Sequence, residues 1–484
     1  MPDKHISLGL FVLAAVTFAW FYGGAGWNQD AQFDLTRALV ERHTLYIDGY
    51  ENTGDVSTGV GGHKYVNRAP AVSFLAAVPY LVVRNQWFCT AATCGLCGAL
   101  IAPILYLHGR RRYGARPRDA VWIVLAIVFG TIVFAYSTML FVHVPASLFL
   151  LLAVVWLDDR PLAAGAAAGM ATLCFYVCGA AAVLLAIVRR DRRVVIGGAP
   201  FAVLLGLYHW ACFGSPFRTA VESSTQWTER GLLFGVLRLP RLDALFGITL
   251  SPYRGLFFAS PFLLFAIAAL VKLKRRDVAI VGGITAIFLI VIAGFNGWNG
   301  GWAFGARYLT PIVPLLGIAL LAAARFAPRV VRVLWLVAAL LSIAINFVAT
   351  AVDAMPSDAL RNPIVRYQFP AFLRGRIPEA TRLAFPWYAT QKVDKVALPR
   401  EAHNLGEWIF GEGKRASVVP IALWLVVGSG VLLSRSRRPR RPASRRPAAT
   451  GAEDGAEPAA ETAAATTRDR EPSPGADRAV GRGA

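Results

Sequence analysis

Long apolar runs recur along almost the whole chain and restrict it to one class of fold. A helix needs about 20 residues to cross the hydrocarbon core of a bilayer. Runs of roughly that length occupy 6–24, 87–108, 120–138, 142–157, 194–213, 255–272, 278–295, 308–327, 329–350 and 416–434. The run 162–188 is long for one span, and we interpret it as a hairpin of two short helices. The pattern predicts an all-α, polytopic membrane protein with about 12 transmembrane helices.

The polar segments between these runs predict the orientation of the chain in the membrane. The basic ones are 109–118, 189–193 and 272–276, together with Arg325, Arg329 and Arg332. Because cytoplasmic loops carry an excess of Lys and Arg, these segments and both termini are expected in the cytoplasm. The segments expected on the outer face are 25–86, 214–254, 296–307 and 351–415.

The composition fits a membrane protein and argues against a nucleic-acid-binding one. Hydrophobic residues make up 56% of the 484 residues and charged residues only 16%, which is too little polar surface for a soluble globule. The net charge of +21 comes from short basic clusters between apolar runs, as in loops held against anionic headgroups. We therefore expect membrane lipids, and no nucleic acid, among its partners. The arginine-rich, lysine-poor composition indicates the cytoplasmic (inner) membrane of a bacterium.

The apolar runs also predict three parts of the chain. Residues 1–350 form one transmembrane module, which begins with an uncleaved span. Within its outer loop 25–86, the apolar run 69–83 is too short to cross and is expected to be a juxtamembrane or re-entrant helix. Residues 351–434 add an outer loop and the last transmembrane helix, and 435–484 are expected to be a disordered cytoplasmic tail.

The stretch 25–68 contains an unusual concentration of acids. It holds six of the 29 in the chain, namely Asp30, Asp34, Glu41, Asp48, Glu51 and Asp55. Asp30 can cap a helix over roughly 31–43, whose apolar side would lie on the membrane surface. Each acid also has a structural explanation, as a helix cap, a partner of Arg37 or a turn residue. As a set on the outer face, the acids indicate a catalytic carboxylate.

Arginines on the same face suggest a site for a phosphate. Arg254 lies in the stretch SPYRGLFFASP and Arg307 in NGWNGGWAFGARY. A guanidinium group beside glycine-rich backbone suits a phosphate or pyrophosphate. Snorkelling arginines and tryptophan anchors at the interface explain the same stretches structurally.

The histidines give a weaker signal. His63 and Lys64, followed by Arg68, belong to the acidic loop and are candidate substrate ligands. We interpret His143, near an outer helix turn, as a satisfied interfacial residue rather than a ligand. No spacing in the chain resembles a zinc site, and the sequence points to no particular metal.

Four stretches together resemble a known family. They read NQDAQFDLTRALVERHTLYID, GHKYVNRAPAVSFLAAVPY, SPYRGLFFASP and GWNGGWAFGARYLTPIVPLL. With the long first outer loop and the absence of a soluble catalytic domain, they are similar to the GT-C glycosyltransferases, such as protein O-mannosyltransferases, aminoarabinose transferases and many bacterial members. The resemblance covers most of residues 6–350. It implies a GT-C-like bundle and an enzyme that transfers a hexose or pentose from a polyprenyl-phosphate sugar, on the outer face, to a lipid, glycan or protein acceptor.

The resemblance also implies roles for individual residues. A carboxylate of the first loop would act as general base on the acceptor hydroxyl, with inversion at the anomeric carbon. Asp30 matches this position best, although Gln29-Asp30 stands where the family often has paired acids, and Asp55 is the second candidate. The implied ligands of the donor are Lys64, Arg68, Arg254 and Arg307, with His63 beside them. Some relatives use a divalent metal, which is therefore a possible cofactor.

Two other functions remain open. A lipid or lipid-linked-sugar transporter would place charged residues near the bilayer midplane and show internal repeats. The sequence has few midplane charges and no clear repeat, which favours the enzyme. A non-catalytic membrane assembly subunit is the third alternative.

Overall fold

The apolar runs form helices in the computed structural model of the chain. The structure describes residues 3–24, 26–50, 53–224, 231, 233, 235–377, 403–411 and 414–436. The middle of the expected outer loop 351–415 and almost all of the expected tail 435–484 lie outside these residues. The described residues belong to one compact unit, Met1–Arg438.

The helices and strands follow one another along the chain with few long gaps. The first half contains α1 (Asp3–Trp20), α2 (Trp27–Arg37), β1 (Val56–Thr58), β2 (Lys64–Val66), α3 (Ala71–Val82), α4 (Gln86–Thr90), α5 (Leu96–Tyr113), α6 (Pro117–Phe129), α7 (Val133–Ser137), α8 (His143–Trp156), α9 (Pro161–Cys174), α10 (Cys178–Arg189) and α11 (Arg192–Phe213). The second half contains α12 (Leu242–Thr249), α13 (Leu256–Ala259), α14 (Leu264–Ala269), α15 (Arg275–Ala293), α16 (Val313–Ala323), α17 (Arg329–Val352), α18 (Phe369–Arg374), α19 (Glu407–Phe410) and α20 (Val419–Arg435). Short 3₁₀ or π-helical turns extend or join them at Ala38–Arg42, Val60–Gly62, Ala91–Gly95, Pro261–Leu263, Leu270–Lys272, Arg307–Ile312, Ile364–Gln368 and Arg415–Val418.

The lengths of these helices confirm a polytopic, all-α membrane protein. Within the described residues, 6 helical segments are long and apolar enough to cross a membrane, namely Asp3–Trp20, Gln86–Tyr113, Arg192–Phe213, Arg275–Ala293, Arg329–Val352 and Arg415–Arg435. Shorter apolar helices lie between them. The run 162–188 divides into α9 and α10, as the hairpin prediction requires. Helix α3 has 12 residues and is therefore only about 18 Å long, so it is too short to cross, as expected for 69–83.

Helix α2 differs from the helix predicted over 31–43. It begins at Trp27 after Gly26, so Asp30 lies in its first turn and is not the cap. All residues from Asn28 to Arg37 are buried, so the expected position on the membrane surface is wrong. Gln29 explains why, because its Nε2 donates to the Gly23 carbonyl at 2.8 Å and its Oε1 accepts from the Leu140 N–H at 3.0 Å. The acidic stretch is held inside the protein by these polar contacts.

A small β-hairpin follows α2, and the sequence did not predict it. Strands β1 and β2 are antiparallel, with Val56 opposite Val66 and Thr58 opposite Lys64. The turn between them is possible because Gly61 and Gly62 adopt positive φ angles of 70° and 76°. Two strands alone are marginally stable in water, so the hairpin depends on its packing against the segment after α11. There, Ser57 Oγ donates to the Ala220 carbonyl at 2.6 Å.

The basic segments expected in the cytoplasm meet acids at one end of the bundle. Arg110, near the end of α5, lies 3.1 Å from Asp3 at the start of α1. Arg112 lies 3.4 Å from Asp158, which follows α8, and 3.5 Å from Asp277 at the start of α15. Partly exposed ion pairs contribute roughly 0.2–1 kcal/mol each, so their main effect is to specify which helix ends are neighbours. The side of the membrane that this end faces stays a prediction.

Glycines allow α9 and α11 to cross in backbone contact. A Cβ at Gly165 would lie 2.0 Å from the carbonyl oxygen of Val194, and a Cβ at Gly197 would lie 2.0 Å from that of Leu162. In lipid, helices associate through such close van der Waals packing rather than through the hydrophobic effect. A methyl group at either position would force the two helices apart.

We expect Gly197→Ala to lower the free energy of unfolding by about 1–3 kcal/mol, because the added methyl group overpacks the crossing. Gly430→Ala in α20 is the matched control, since nothing lies within 4 Å of its Cβ position, and alanine is the better helix former. The measurement is the thermal unfolding temperature of both variants in detergent. Equal unfolding temperatures for the two variants would contradict the close crossing.

Candidate active site

The β-hairpin brings together an acid and a base from the acidic loop. Asp55 directly precedes β1, whereas Asn67 and Arg68 directly follow β2. Because Val56 pairs with Val66, the residues just beyond this pair meet at the open end of the hairpin, where the Asn67 N–H donates to the Asp55 carbonyl at 3.2 Å. Arg68 Nη2 then lies 3.1 Å from Asp55 Oδ2. The hairpin register therefore creates this ion pair.

Helix α2 adds an amide to the pair. Asn28 Nδ2 donates to Asp55 Oδ2 at 3.3 Å, and the Thr53 hydroxyl ties the loop to the helix by donating to the Trp27 carbonyl at 2.6 Å. Asp55 is only 5% exposed, and a carboxylate buried to this degree needs such partners. Within the described residues, the side-chain contacts of Asp55 use Oδ2, so Oδ1 is available to accept a proton.

Arg307 completes a group that we call the polar centre: Asn28, Asp55, Arg68 and Arg307. Arg307 is 8% exposed and begins the 3₁₀ turn before α16. Its Nη2 donates to the Tyr308 hydroxyl at 3.0 Å, and its guanidinium lies over the ring of Phe141 at 5.3 Å. The guanidinium is in electrostatic reach of the Asp55 carboxylate. Its buried Nε has no hydrogen-bond partner among the described residues, so an anion could bind there.

Arg254 has a different environment from Arg307, although the two were predicted to act together. It is buried, and its Nε donates to the Asn299 carbonyl at 3.1 Å, its Nη2 to the Gly301 carbonyl at 2.7 Å, and its Nη1 to the Ala303 carbonyl. Three of its donors are therefore used to order the glycine-rich loop that leads to Arg307. We do not include Arg254 in the polar centre.

His63 and Lys64 lie at the turn end of the hairpin, away from Asp55. His63 Nδ1 is 2.5 Å from Asp48 Oδ2, and the His63 ring stacks on Tyr46 with centroids 4.2 Å apart. Lys64 is exposed, and its N–H donates to Asp48 Oδ1 at 2.7 Å. Burial opposes the effect, but the Lys64 N–H and His63 hold the pKa of Asp48 below its usual value. These contacts order the turn, and substrate binding by His63 and Lys64 stays a prediction.

Asp30 occupies the opposite side of α2 from the polar centre. Residues two apart on an α-helix point about 200° apart, so Asp30 faces away from Asn28 and its partner Asp55. Asp30 is 1% exposed. It lies in electrostatic reach of the Tyr22 hydroxyl. The two predicted carboxylates are therefore in separate environments.

Asp34 in α2 and Glu41 in the turn that follows it are paired with Arg37, as one of the structural explanations predicted. Asp34 Oδ1 lies 4.0 Å from Arg37 Nη1, and Glu41 Oε2 lies 3.8 Å from Arg37 Nε. The Glu41 carboxylate also accepts a hydrogen bond from the Tyr80 hydroxyl of α3. These contacts join α2 and the turn after it to α3.

The described residues offer no evident metal site. No group of three or more His, Cys, Asp or Glu side chains among them is placed to hold a metal ion. The residues present therefore do not fit a divalent metal, and we derive no step that uses one. A metal requirement stays a prediction of the sequence resemblance.

Sequence reasoning missed one member of the polar centre, Asn28, and one residue next to it, His143. Asn28 gave no signal, because an amide directly before Gln29 and Asp30 has no distinctive spacing. His143 was interpreted as a satisfied interfacial residue, but it is buried and its Nδ1 has no hydrogen-bond partner among the described residues. Its neighbours Phe141 and Tyr308 also contact Arg307. The sequence feature that could have marked His143 as a site residue is its position two residues after Phe141.

Comparison with known proteins identifies the fold. No protein-family profile and no curated protein matches the chain. The chain is similar to the crystal structure of ArnT from Cupriavidus metallidurans bound to undecaprenyl phosphate, with a TM-score of 0.50, 13% identity, and coverage of 90% of this chain and 78% of that one. The apo structure of the same protein gives a TM-score of 0.47, 14% identity, and coverage of 90% and 76%. The first similarity shows that the chain shares the fold of ArnT, which agrees with the polytopic helical fold that the sequence predicted.

We expect Arg254→Ala to destabilise the protein by about 3 kcal/mol or more, because each hydrogen bond to a charged group contributes roughly 1.5–3 kcal/mol. Arg254→Lys should recover part of this loss, since an ammonium group can reach one or two of the carbonyls. The Arg254 guanidinium also lies over the Tyr253 ring, at 4.4 Å. The control is Arg361→Ala, because this exposed guanidinium lies over the same ring at 5.4 Å. Thermal unfolding measures all three. An Arg254→Ala variant as stable as the control would show that the loop does not depend on Arg254.

Proposed function

We propose that this protein is a glycosyltransferase that moves a sugar from a polyprenyl-phosphate donor to an acceptor hydroxyl at the polar centre. The observation that carries the proposal is the grouping of the buried Asp55 carboxylate with the buried Arg307 guanidinium and the half-buried Arg68 guanidinium. The Arg307 Nε has no hydrogen-bond partner among the described residues. Buried ionisable groups in membrane proteins usually mark functional sites. The fold supports the same conclusion, because the ArnT structure that it resembles contains undecaprenyl phosphate.

Arg307 and Arg68 are the groups suited to the donor phosphate. A guanidinium presents several N–H donors in a planar fork that matches phosphate oxygens. Arg307 has an unpartnered buried Nε, and Arg68 engages Asp55 through Nη2. A phosphate would therefore gain two cations while it competes with Asp55 for Arg68. In a site with little water, these cations would stabilise the negative charge of the leaving phosphate.

Asp55 is the carboxylate that we propose as general base. Its Oδ2 is paired with Arg68, and its Oδ1 is available to accept a proton. The acceptor hydroxyl would give its proton to Asp55 while its oxygen forms a bond to the anomeric carbon. The bond from that carbon to the phosphate oxygen would break, and its electron pair would leave with the polyprenyl phosphate, which inverts the anomeric configuration.

Asp30 remains the alternative base, as the resemblance to the family implies. It lies near Tyr22 and, two residues after Asn28, projects from a different side of α2 from the Asn28 amide that contacts Asp55. A base must reach the acceptor beside the bound phosphate. Asp55 meets this requirement through Arg68, and we therefore prefer it to Asp30.

The positions of the charged residues along the bundle indicate the side of the membrane on which we propose that the reaction takes place. The polar centre lies at the end of the bundle that holds the first loop, and the ion pairs of Arg110 and Arg112 lie where α1 begins and α5 ends. If the basic end is cytoplasmic, the reaction takes place on the outer face of a bacterial cytoplasmic membrane, with both termini inside. The acceptor is then a lipid, glycan or protein of the cell envelope that offers a hydroxyl.

The same placement favours an enzyme over a transporter or an assembly subunit. Asp55 and Arg68 flank a hairpin in the first loop, and Arg307 begins a helix. A transporter would instead hold its charged groups near the bilayer midplane, on broken helices. The assay of polyprenyl-phosphate release described next distinguishes the enzyme from a transporter and from a non-catalytic subunit.

We expect Asp55→Asn to abolish transfer while the variant still binds donor, because the amide cannot accept the proton. The measurement is release of free polyprenyl phosphate by the protein in nanodiscs, from a panel of polyprenyl-phosphate sugars with an acceptor extract. Asp30→Asn is run beside it and should retain activity. Full activity of Asp55→Asn with loss in Asp30→Asn would move the base to Asp30. No release from any donor by folded wild-type protein would favour the transporter or the subunit.

Arg307→Ala should weaken binding of undecaprenyl phosphate roughly 10-fold or more, which corresponds to the loss of one charge-assisted hydrogen bond of about 1.5–3 kcal/mol. Arg307→Lys should weaken it less, because it keeps the charge but loses the planar fork. Arg361→Ala, an exposed arginine, is the control and should bind normally. Equal affinities of the alanine and lysine variants would instead identify Arg307 as a structural anchor.

A further inference from the structure

His143 is a buried side chain that nothing described above uses. It begins α8, it is 2% exposed, and its Nδ1 has no hydrogen-bond partner among the described residues. A buried polar atom without a partner is costly. Most such atoms in folded proteins are satisfied, so this position calls for a specific explanation.

Four aromatic rings surround the imidazole, and we call them the aromatic cage: Tyr136, Phe141, Phe175 and Tyr308. The Phe141 ring is nearly parallel to the imidazole, with centroids 5.9 Å apart and an angle of 21°. The other three meet it edge-on, Phe175 at 5.1 Å, Tyr308 at 5.5 Å and Tyr136 at 5.9 Å. The rings come from three parts of the chain, at 136–141, 175 and 308, so the cage is assembled only in the folded protein.

The cage adjoins the proposed phosphate site. Two of its rings, Phe141 and Tyr308, also contact the Arg307 guanidinium, at 5.3 Å and 4.9 Å from its carbon. The imidazole is in electrostatic reach of both Arg307 and Arg68. A group attached to a phosphate that is bound by these arginines would therefore lie close to His143.

The chemistry of the cage matches a sugar better than a phosphate or a prenyl chain. An imidazole can donate through one ring nitrogen and accept through the other, as a sugar hydroxyl can donate and accept. Aromatic rings provide apolar faces for the C–H groups of a sugar ring. A prenyl chain would leave Nδ1 unpaired, and the phosphate already has two guanidinium groups.

We infer that His143 and the aromatic cage form the subsite for the sugar of the donor, with His143 hydrogen-bonded to a sugar hydroxyl. The inference rests on the proposed function and adds a residue that contacts the sugar rather than the phosphate. Its consequence is selectivity. His143 affects binding of a donor that carries a sugar and leaves binding of undecaprenyl phosphate alone unchanged.

The test compares two ligands on the same variants in nanodiscs. The ligands are undecaprenyl phosphate and the undecaprenyl-phosphate sugar that wild-type protein uses best. We expect His143→Ala to lower kcat/KM for the sugar donor at least 10-fold, and to change the Kd for undecaprenyl phosphate less than 2-fold. His143→Asn should recover part of the loss, because its amide can replace Nδ1, whereas His143→Leu should recover none.

Phe175→Leu is a second variant in case changes at His143 prevent folding. Phe175 contacts His143 and Tyr308 in the cage, and its loss should also reduce activity with the sugar donor more than binding of undecaprenyl phosphate. Phe134→Leu is the matched control, because this buried ring contacts Phe18 and Phe129 in the apolar core instead. It should reduce thermal stability without changing the preference between the two ligands.

The possible outcomes separate the inference from the proposed function. If wild-type protein binds undecaprenyl phosphate and releases it from a sugar donor, while His143→Ala and Phe175→Leu behave like Phe134→Leu, the inference fails and the proposed function stands. Equal loss of both ligands in His143→Ala would also overturn the sugar subsite. If wild-type protein neither binds undecaprenyl phosphate nor uses any donor, the proposed function fails, and the sugar subsite fails with it.

Discussion

The burial of charged groups is the constraint on which the rest of this structure depends. A carboxylate or guanidinium removed from water is stable only when it is paired and hydrogen-bonded. Asp55 meets this requirement through Arg68 and Asn28, which come from the far strand of the hairpin and from α2. The hairpin, α2 and the loop between them must therefore fold together before the ion pair can exist. This dependence explains why a short two-stranded hairpin persists in a helical membrane protein.

Arginines with similar sequence contexts have two different physical roles. Arg254 gives its donors to three carbonyls of the 296–308 loop, so its charge is used to hold backbone in place. That loop leads directly to Arg307, whose guanidinium lies between aromatic rings and keeps an unpartnered Nε. One arginine thus orders the segment that positions the other. Arg254 and Arg307 differ in how many of their N–H donors already have hydrogen-bond partners among the described residues.

The acids of the first loop divide in the same way. Asp34 and Glu41 pair with Arg37, and Asp48 orders the hairpin turn, so these residues stabilise the fold around the site. Asp55 instead pairs with Arg68 and lies in electrostatic reach of Arg307. The number of acids drew attention to this stretch, but three of the six have contacts that tie the loop and its neighbouring helices together.

The sequence by itself determined the helical membrane fold, because apolar run length and the placement of basic clusters are local properties with a direct physical meaning. It also located the acidic loop, Arg307 and the break between α9 and α10. Only the tertiary structure decided that α2 is buried, that Asp55 rather than Asp30 meets Arg68, and that His143 lies in the aromatic cage. These facts depend on hairpin register, on the 100° rotation between successive helical residues, and on contacts between segments far apart in the chain. No pattern within one segment carries that information.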